Sequence, residues 1–305
     1  MTDCRQNIKK YSVLHSLEEI EVKTCLSNSA YLDKIISVSD NGERMILSAN
    51  HENSVRATVI PVGINIKKEE PNVWGKELQI IYVGRICKAQ KNISAIIKIL
   101  VGLRDRNINF KMHFIGSGDY FINLKKQIKD NDLTKRCVLY GAKSPSEVHE
   151  HILKANVIIM TSYSEGTPHS LLEAMSVGVI PISSLIPGST DKIITNRVNG
   201  FLCEVDKIDD YIDTIILLQK DKVFREEIQK NAIQSIKDNF SINTITEKYI
   251  DVFNQNEIKL DKSNRFIFDE FANLVCPSFF RNLKTYIGNY KRIIFNGIKP
   301  IKYKN

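Results

Sequence analysis

The sequence has 305 residues, of which 43% are hydrophobic, which is enough to build one large or two medium domains and excludes global disorder. The net charge is +8, but residues 281–305 alone carry seven Lys and Arg side chains and no acidic one. The first 280 residues hold 36 basic and 35 acidic side chains. This nearly neutral body argues against nucleic acid as a partner, because nucleic-acid-binding domains usually present a basic face.

Cysteine usage and the first residues favour a cytoplasmic protein. No CxxC spacing occurs, so no zinc site is predicted and the thiols are expected to be reduced. The first ten residues are polar and unlike a signal peptide, and no apolar stretch reaches the roughly 18–20 residues that span a bilayer. The six cysteines are Cys4, Cys25, Cys87, Cys137, Cys203 and Cys276.

Residues 1–65 show a brief alternation of strands with a helix. The predicted strands are 11–15 (YSVLH), 34–38 (KIISV) and 58–61 (TVIP), with a helix near 41–47. This is about one and a half strand–helix–strand units, which is too little for an independent domain of ordinary size. The polar residues 66–77 contain Pro and Gly and are predicted to be a linker.

Residues 78–240 alternate short apolar strands with helices of about ten residues. This pattern indicates a parallel sheet, and the near-continuously apolar strands agree, because parallel strands are covered on both faces. The predicted strands are 78–84, 111–116, 136–141, 156–160, 179–183 and 200–203. The predicted helices are 93–103, 120–128, one that starts at the Ser-Pro-Ser-Glu cap 144–147, 171–177, 208–218, 223–235 and 241–253.

The segments that follow the strands are the candidate site, because ligands of such folds bind outside the carboxyl ends of the strands. Each segment alone is a weak signal, since Gly-Arg is often a plain turn and GSGD lacks the full GxGxxG pattern. Their expected convergence at one sheet edge is the stronger argument. The segments are Gly84-Arg85 with Lys91, the glycine loop 116–119 (GSGD), 140–143 (YGAK), and 161–168 (TSYSEGTP) with Glu173.

The last of these segments predicts an anion site at a helix start. Thr167 is the expected N-cap and Pro168 the first helical residue, so the free N–H groups of His169 and Ser170 can face an anion.

Charged side chains complete the predicted ligand. Arg85 and Lys91 can hold a diphosphate and stabilise it as a leaving group. Glu173 can accept hydrogen bonds from ribose hydroxyls, and Glu165 can accept them from a sugar. Together these groups describe a nucleoside diphosphate sugar.

At this point the sequence resembles a known family. Residues 165–184 (EGTPHSLLEAMSVGVIPISS) resemble the E-x7-E region of retaining glycosyltransferases of family 4, which have the GT-B fold. Residues 82–91 (YVGRICKAQK) resemble the family's strand-GR-x5-K element. FIGSGD, VLYG and NGFL match further family elements in order and spacing, and the resemblance covers about residues 33–255.

The resemblance implies roles for individual residues. Glu165, which contacts the donor sugar, and His15, at the end of a strand that faces the cleft, are the expected catalytic residues. A structural hydrogen bond is the alternative for His15. The family needs no metal, and the DxD-like string 130–132 is interpreted as a helix end. The nucleotide, which we expect to be UDP, is bound by Arg85, Lys91, Gly116, Gly118, Gly166, Thr167, His169, Ser170 and Glu173.

The sequence departs from the family in its first domain, of which only the end is recognised. We expect a GT-B arrangement with a partial N-terminal Rossmann-like domain and a complete C-terminal one. The chain is expected to be a fragment, a truncated reading frame or a subunit whose partner chain supplies the rest. The predicted parts are the acceptor-side remnant 1–65, the linker 66–77, the nucleotide-sugar domain 78–240, a crossing helix 241–256 and a basic aromatic tail 257–305.

The expected function is transfer of a hexose, with retention, to a glycan or lipid-linked acceptor in cell-surface polysaccharide synthesis. A non-catalytic donor-binding subunit or an inactive remnant is the alternative. A Rossmann dehydrogenase is disfavoured because GSGD lacks the third glycine. The basic tail has two interpretations. It forms an amphipathic helix that contacts the inner face of a membrane, or it packs against the rest of the chain.

Overall fold

The computed structural model describes residues 9–254, except residues 16, 18, 28, 30–31, 50–56, 68 and 70. These residues form two parallel sheets flanked by helices. Within them, no helix is long and apolar enough to cross a bilayer. The tail at 257–305, with its predicted amphipathic helix, lies outside the described residues.

The strands and helices follow the predicted alternation. The strands are β1 Tyr11–Leu14, β2 Lys34–Ser37, β3 Ala57–Val59, β4 Leu78–Val83, β5 Phe110–Ile115, β6 Cys137–Gly141, β7 Val157–Met160, β8 Ile180–Ser184 and β9 Phe201–Cys203. The helices are α1 Glu19–Ser27, α2 Asp40–Ala49, α3 Lys88–Lys91, α4 Ile93–Asp105, α5 Phe121–Asp130, α6 Pro145–Ile152, α7 His169–Ser176, α8 Ile208–Lys220, α9 Lys222–Asn239 and α10 Ile242–Asn254.

The larger sheet has the strand order β6-β5-β4-β7-β8-β9, and every pairing is parallel. The order reverses between β4 and β7, which pair directly with Ile80 opposite Val157. In such a sheet, the carboxyl ends of the two strands at the reversal open a crevice that binds ligands.

Side chains that alternate along β4 face two separate cores, because successive strand residues point to opposite faces. Ile80 and Tyr82 join Phe114 in the core on one face, and Ile81 joins Leu171 in the core on the other. All five residues are almost completely buried. This burial on both faces is the reason for the continuously apolar strands.

The smaller sheet contains β1, β2 and β3 in that order. One face carries a core made by Ile35 with Val22 of α1 and Ile46 of α2. The opposite face packs against α10, where Ile36 of β2 lies in one buried cluster with Ile245. The smaller sheet is therefore covered on one side by helices near it in sequence and on the other by the last described helix.

The sequence prediction is confirmed for every predicted strand and for the helices of the larger domain, with ends that differ by a few residues. The capping box at 144–147 is confirmed: the amide of Glu147 donates to the Ser144 hydroxyl, and the Ser144 amide donates to the Glu147 carboxylate at 2.9 Å. The string 130–132 ends α5, as predicted. The short helix α3 and a 3-10 turn at Thr190–Lys192 were not predicted.

Candidate functional site

A cavity of about 410 Å³ lies where the segments after β1, β4 and β7 meet. Six of the predicted site residues line it: His15, Arg85, Lys91, Glu165, Gly166 and Thr167. Five others are outside its lining: Gly116, Gly118, His169, Ser170 and Glu173. The structure thus brings together the charged groups of two distant sequence segments beside the end of β1.

Lys91 and Glu165 form an ion pair between these segments, with Nζ of Lys91 2.6 Å from Oε1 of Glu165. Both side chains are largely buried, with 15% and 8% of their surfaces exposed. Local geometry fixes the position of Lys91. Asn92 next to it has a left-handed backbone (φ 48°), and the hydroxyl of Thr161 donates to the Lys91 carbonyl at 3.0 Å.

Arg85 is exposed at the mouth of the cavity and is held at both its backbone and its side chain. The hydroxyl of Tyr82 donates to the Arg85 carbonyl at 2.6 Å, and Nη2 of Arg85 donates to Oε1 of Gln90 at 2.7 Å. Burial raises the pKa of Tyr82 far above its usual value, so this phenol stays protonated and remains a donor. Gln90 is not among the predicted site residues, and its one signal in the sequence is its place directly before Lys91.

The glycine loop after β5 lies against the loop after β4. A Cβ atom at Gly116 would be 1.9 Å from the Gly84 carbonyl oxygen, and one at Gly118 would be 2.3 Å from that of Ile86. The Ile86 amide donates to the Ser117 carbonyl at 2.9 Å. Both glycines therefore permit close packing of two backbones, which sets the path of the segment that carries Arg85.

The predicted cap of α7 is wrong. The helix begins at His169, Pro168 is its N-cap, and no side chain caps it. The Thr167 hydroxyl donates instead to the carbonyl of Val38, just after β2. This tertiary bond takes the hydroxyl away from the helix, and the first turn closes through the amide of Leu171 on the Pro168 carbonyl at 3.1 Å.

The amide groups that the prediction singled out keep their place despite the shift. His169 and Ser170 are now the first two residues of α7, and helix geometry gives their N–H groups no acceptor inside the helix. The positive end of the helix is thus beside Gly166 and Thr167, which line the cavity.

Two histidines lie near each other at this end of α7. Burial by the surrounding protein lowers the pKa of His169, and the neighbouring His15 lowers it further. Burial also lowers the pKa of His15, and Glu21 partly offsets this. Both residues remain partly exposed to solvent, and the lowered pKa values favour the neutral imidazole in each of them.

Glu173 lies one turn into α7 and is half-buried. Burial raises the pKa of its carboxyl, and the nearby side chains of His149 and Lys67 partly counter this. Residues four apart share a helix face, so His169 and Glu173 are aligned along α7. Glu173 does not line the cavity, and it follows the first turn of the helix that begins beside it.

The two sheets with this strand order define a GT-B type fold, and solved glycosyltransferases share it. The chain matches the family model of glycosyl transferases group 1 over residues 64–235, more than half of its length, and belongs to that family.

Three relatives illustrate the similarity. A UDP-Gal:alpha-D-GlcNAc-diphosphoundecaprenol alpha-1,3-galactosyltransferase of Escherichia coli is 26% identical over 236 residues, or 72% of this chain and 59% of that protein. TarM of S. aureus, solved with UDP, aligns at a TM-score of 0.71 and 22% identity over 83% of this chain and 52% of TarM. Anabaena HepE, solved with UDP and glucose, aligns at a TM-score of 0.70 and 15% identity over 80% of this chain and 71% of HepE. The chain spans about half the length of the curated relatives it matches.

Proposed function

We propose that this chain binds a nucleoside diphosphate hexose, with UDP as the nucleotide, and transfers the hexose with retention to a glycan or lipid-linked acceptor in cell-surface polysaccharide synthesis. The observation that carries the proposal is the convergence of Arg85, Lys91 and Glu165 on one cavity at the positive end of α7. Two cations and a helix N-terminus suit a diphosphate, and a buried carboxylate suits sugar hydroxyls.

The relatives support the choice of donor and acceptor. The Escherichia coli relative takes UDP-Gal as donor and a diphosphoundecaprenol-linked sugar as acceptor, by its name. The structures of HepE and TarM were solved with UDP. A UDP-hexose and an acceptor carried on a lipid diphosphate or a polymer are therefore the first compounds to try.

The proposed chemistry needs few protein acids or bases, and no metal. The bond between the anomeric carbon and the donor phosphate oxygen breaks, while the acceptor oxygen bonds to the same carbon on the same face. The acceptor proton passes to an oxygen of the departing phosphate. Arg85, Lys91 and the N-terminus of α7 stabilise the charge that develops on the diphosphate, and Glu165 holds the sugar.

The parts of the chain take their roles from this site. We assign residues 1–65, to which the strands of the smaller sheet belong, to the acceptor-side domain, and residues 78–240 to donor binding. The packing of Ile245 of α10 beside Ile36 of β2 supports α10 as the helix that returns to the first domain. A partner chain that completes the acceptor side and a peripheral site on the inner membrane face belong to the same proposal.

Thermal unfolding with UDP, GDP, ADP and CDP tests donor binding. A nucleotide at 100 times its dissociation constant stabilises the fold by about 2.7 kcal/mol. We expect UDP to raise the unfolding temperature of the parent, and Arg85→Ala and Glu173→Ala to make this shift clearly smaller. Arg106→Ala is the matched control, because Arg106 pairs with Asp209 on the surface.

If no nucleotide stabilises the folded parent, donor binding and the enzyme assignment are both wrong. If UDP binds but no UDP-hexose is consumed with any acceptor, the chain is a donor-binding subunit. The anomeric configuration of a product, read by NMR, then tests retention.

A further inference from the structure

The side chain of Gln90 uses both ends of its amide between two loops of the cavity. Its Oε1 accepts a hydrogen bond from Nη2 of Arg85 at 2.7 Å, and its Nε2 donates to the carbonyl of Ser164 at 3.1 Å. The Gln90 backbone carbonyl also accepts from the amide of Tyr163 at 2.8 Å. Gln90 thus joins the loop after β4, which carries Arg85, to the loop after β7, which leads to Glu165.

The chemistry of this contact differs from that of the neighbouring lysine. Lys91 meets a carboxylate, so its charge is compensated within the protein. Arg85 meets a neutral amide in Gln90, which orients the guanidinium without placing a carboxylate against it at that contact. An orienting partner matters because an exposed arginine has many rotamers, and fixing one of them in advance reduces the entropy lost when an anion binds.

We propose that Gln90 is a positioning residue that holds Arg85 ready for the donor diphosphate. This inference rests on the proposed function, in which Arg85 contacts that diphosphate. The side chain at position 90 must satisfy two demands: it needs an acceptor for Arg85 and a donor for Ser164, and it must carry no negative charge. The Gln90 amide fulfils both.

A double-mutant cycle on UDP affinity tests the proposal. The affinity is measured by calorimetry on the full chain at fixed salt, for the parent, Gln90→Ala, Arg85→Ala and the double variant. We expect Gln90→Ala to weaken UDP binding about fivefold in the parent, and less than about twofold when Arg85 is already removed, because the two residues act as one unit. Gln234→Ala is the matched control, since Gln234 bonds to Asp238 on the surface of α9.

A second variant separates positioning from simple support of the loop. Gln90→Glu keeps the length of the side chain but places a carboxylate on Arg85 and removes the donor to Ser164. We expect it to weaken UDP binding more than Gln90→Ala does, and to reduce the salt dependence of binding, because the new carboxylate adds a negative charge beside Arg85 where the anion is to bind. Equal unfolding temperatures for the parent, Gln90→Ala and Gln90→Glu exclude a folding defect.

Two results overturn the inference while the proposed function stands. One is an additive loss in the double variant, which shows that Gln90 acts independently of Arg85. The other is a Gln90→Glu variant that binds UDP as well as the parent does. A folded parent that binds no nucleoside diphosphate overturns the proposed function, and this inference falls with it.

Discussion

Lys91 and Glu165 lie 74 positions apart in the sequence and are joined by an ion pair of 2.6 Å in the candidate site. The proposed function gives them different ligands, the donor diphosphate for Lys91 and the donor sugar for Glu165. The two residues therefore have to exchange partners when a donor binds. In the site as it stands, each one satisfies the charge of the other.

The first prediction concerns this exchange. Replacing Glu165 by Gln removes a negative charge near the diphosphate and frees the ammonium of Lys91, so UDP should bind more tightly, by about fivefold or about 1 kcal/mol. Hexose transfer should nevertheless fall sharply, because the amide replaces one acceptor oxygen of the carboxylate by a donor and removes the negative charge that holds the sugar hydroxyls. Calorimetry with UDP, and transfer assays with a UDP-hexose, measure the two effects separately.

Glu173→Gln is the matched control for that experiment. It removes the same charge eight positions further along the chain. Because we assign ribose binding to Glu173, this variant should bind UDP more weakly than the parent does. If both glutamine variants shift affinity in the same direction, the proposed exchange between Lys91 and Glu165 is wrong.

The second prediction uses the raised pKa of Glu173. An acid whose pKa is raised by burial becomes neutral at a higher pH than the ordinary 4.5, so UDP affinity should begin to fall earlier on acidification than an exposed glutamate would allow. In Glu173→Gln, the loss of UDP affinity that comes from protonation of Glu173 should be missing. Titration of the nucleotide phosphate affects the parent and the variant equally. UDP titrations between pH 4 and pH 7 measure the difference.

The same shift predicts a change in stability with a definite sign. The folded state disfavours the charged carboxylate, so ionised Glu173 costs stability above its unfolded pKa. Glu173→Gln should therefore unfold at a slightly higher temperature than the parent at pH 7, and this gain should vanish below pH 4.5. A variant that is less stable at pH 7 would contradict the assigned cause.

The sequence could predict where the site lies, but not how its side chains pair. Arg85 and Glu165 follow apolar strands, and parallel topology brings strand ends to one edge, so their proximity is predictable. The cap at Thr167 was wrong because its partner, the Val38 carbonyl, is 129 positions away. Helix α3 has only four residues, which is too short for any periodic signal. Such contacts depend on tertiary structure that local patterns do not contain.

The third prediction tests the glycine loop. Gly116→Ala would put a Cβ atom 1.9 Å from the Gly84 carbonyl oxygen, at a backbone φ of 138°, so both crowding and strain should lower the free energy of unfolding by about 2 kcal/mol or more. Gly75→Ala is the matched control, because no atom lies within 4 Å of its added methyl group. Urea unfolding should show a change within about 0.5 kcal/mol for the control.

The fourth prediction concerns the bond between the smaller sheet and the loop that leads into α7. Thr167→Val keeps the shape of the side chain but removes the hydroxyl that donates to the carbonyl of buried Val38. Loss of a hydrogen bond to a buried carbonyl should cost about 1–2 kcal/mol in the free energy of unfolding. Thr246→Val is the control, because its hydroxyl donates to the Ile242 carbonyl within α10, which also accepts a bond from the helix backbone. Equal losses in the two variants would show that the Thr167 bond contributes nothing beyond an ordinary helix hydroxyl, and that other contacts hold the smaller sheet against this loop.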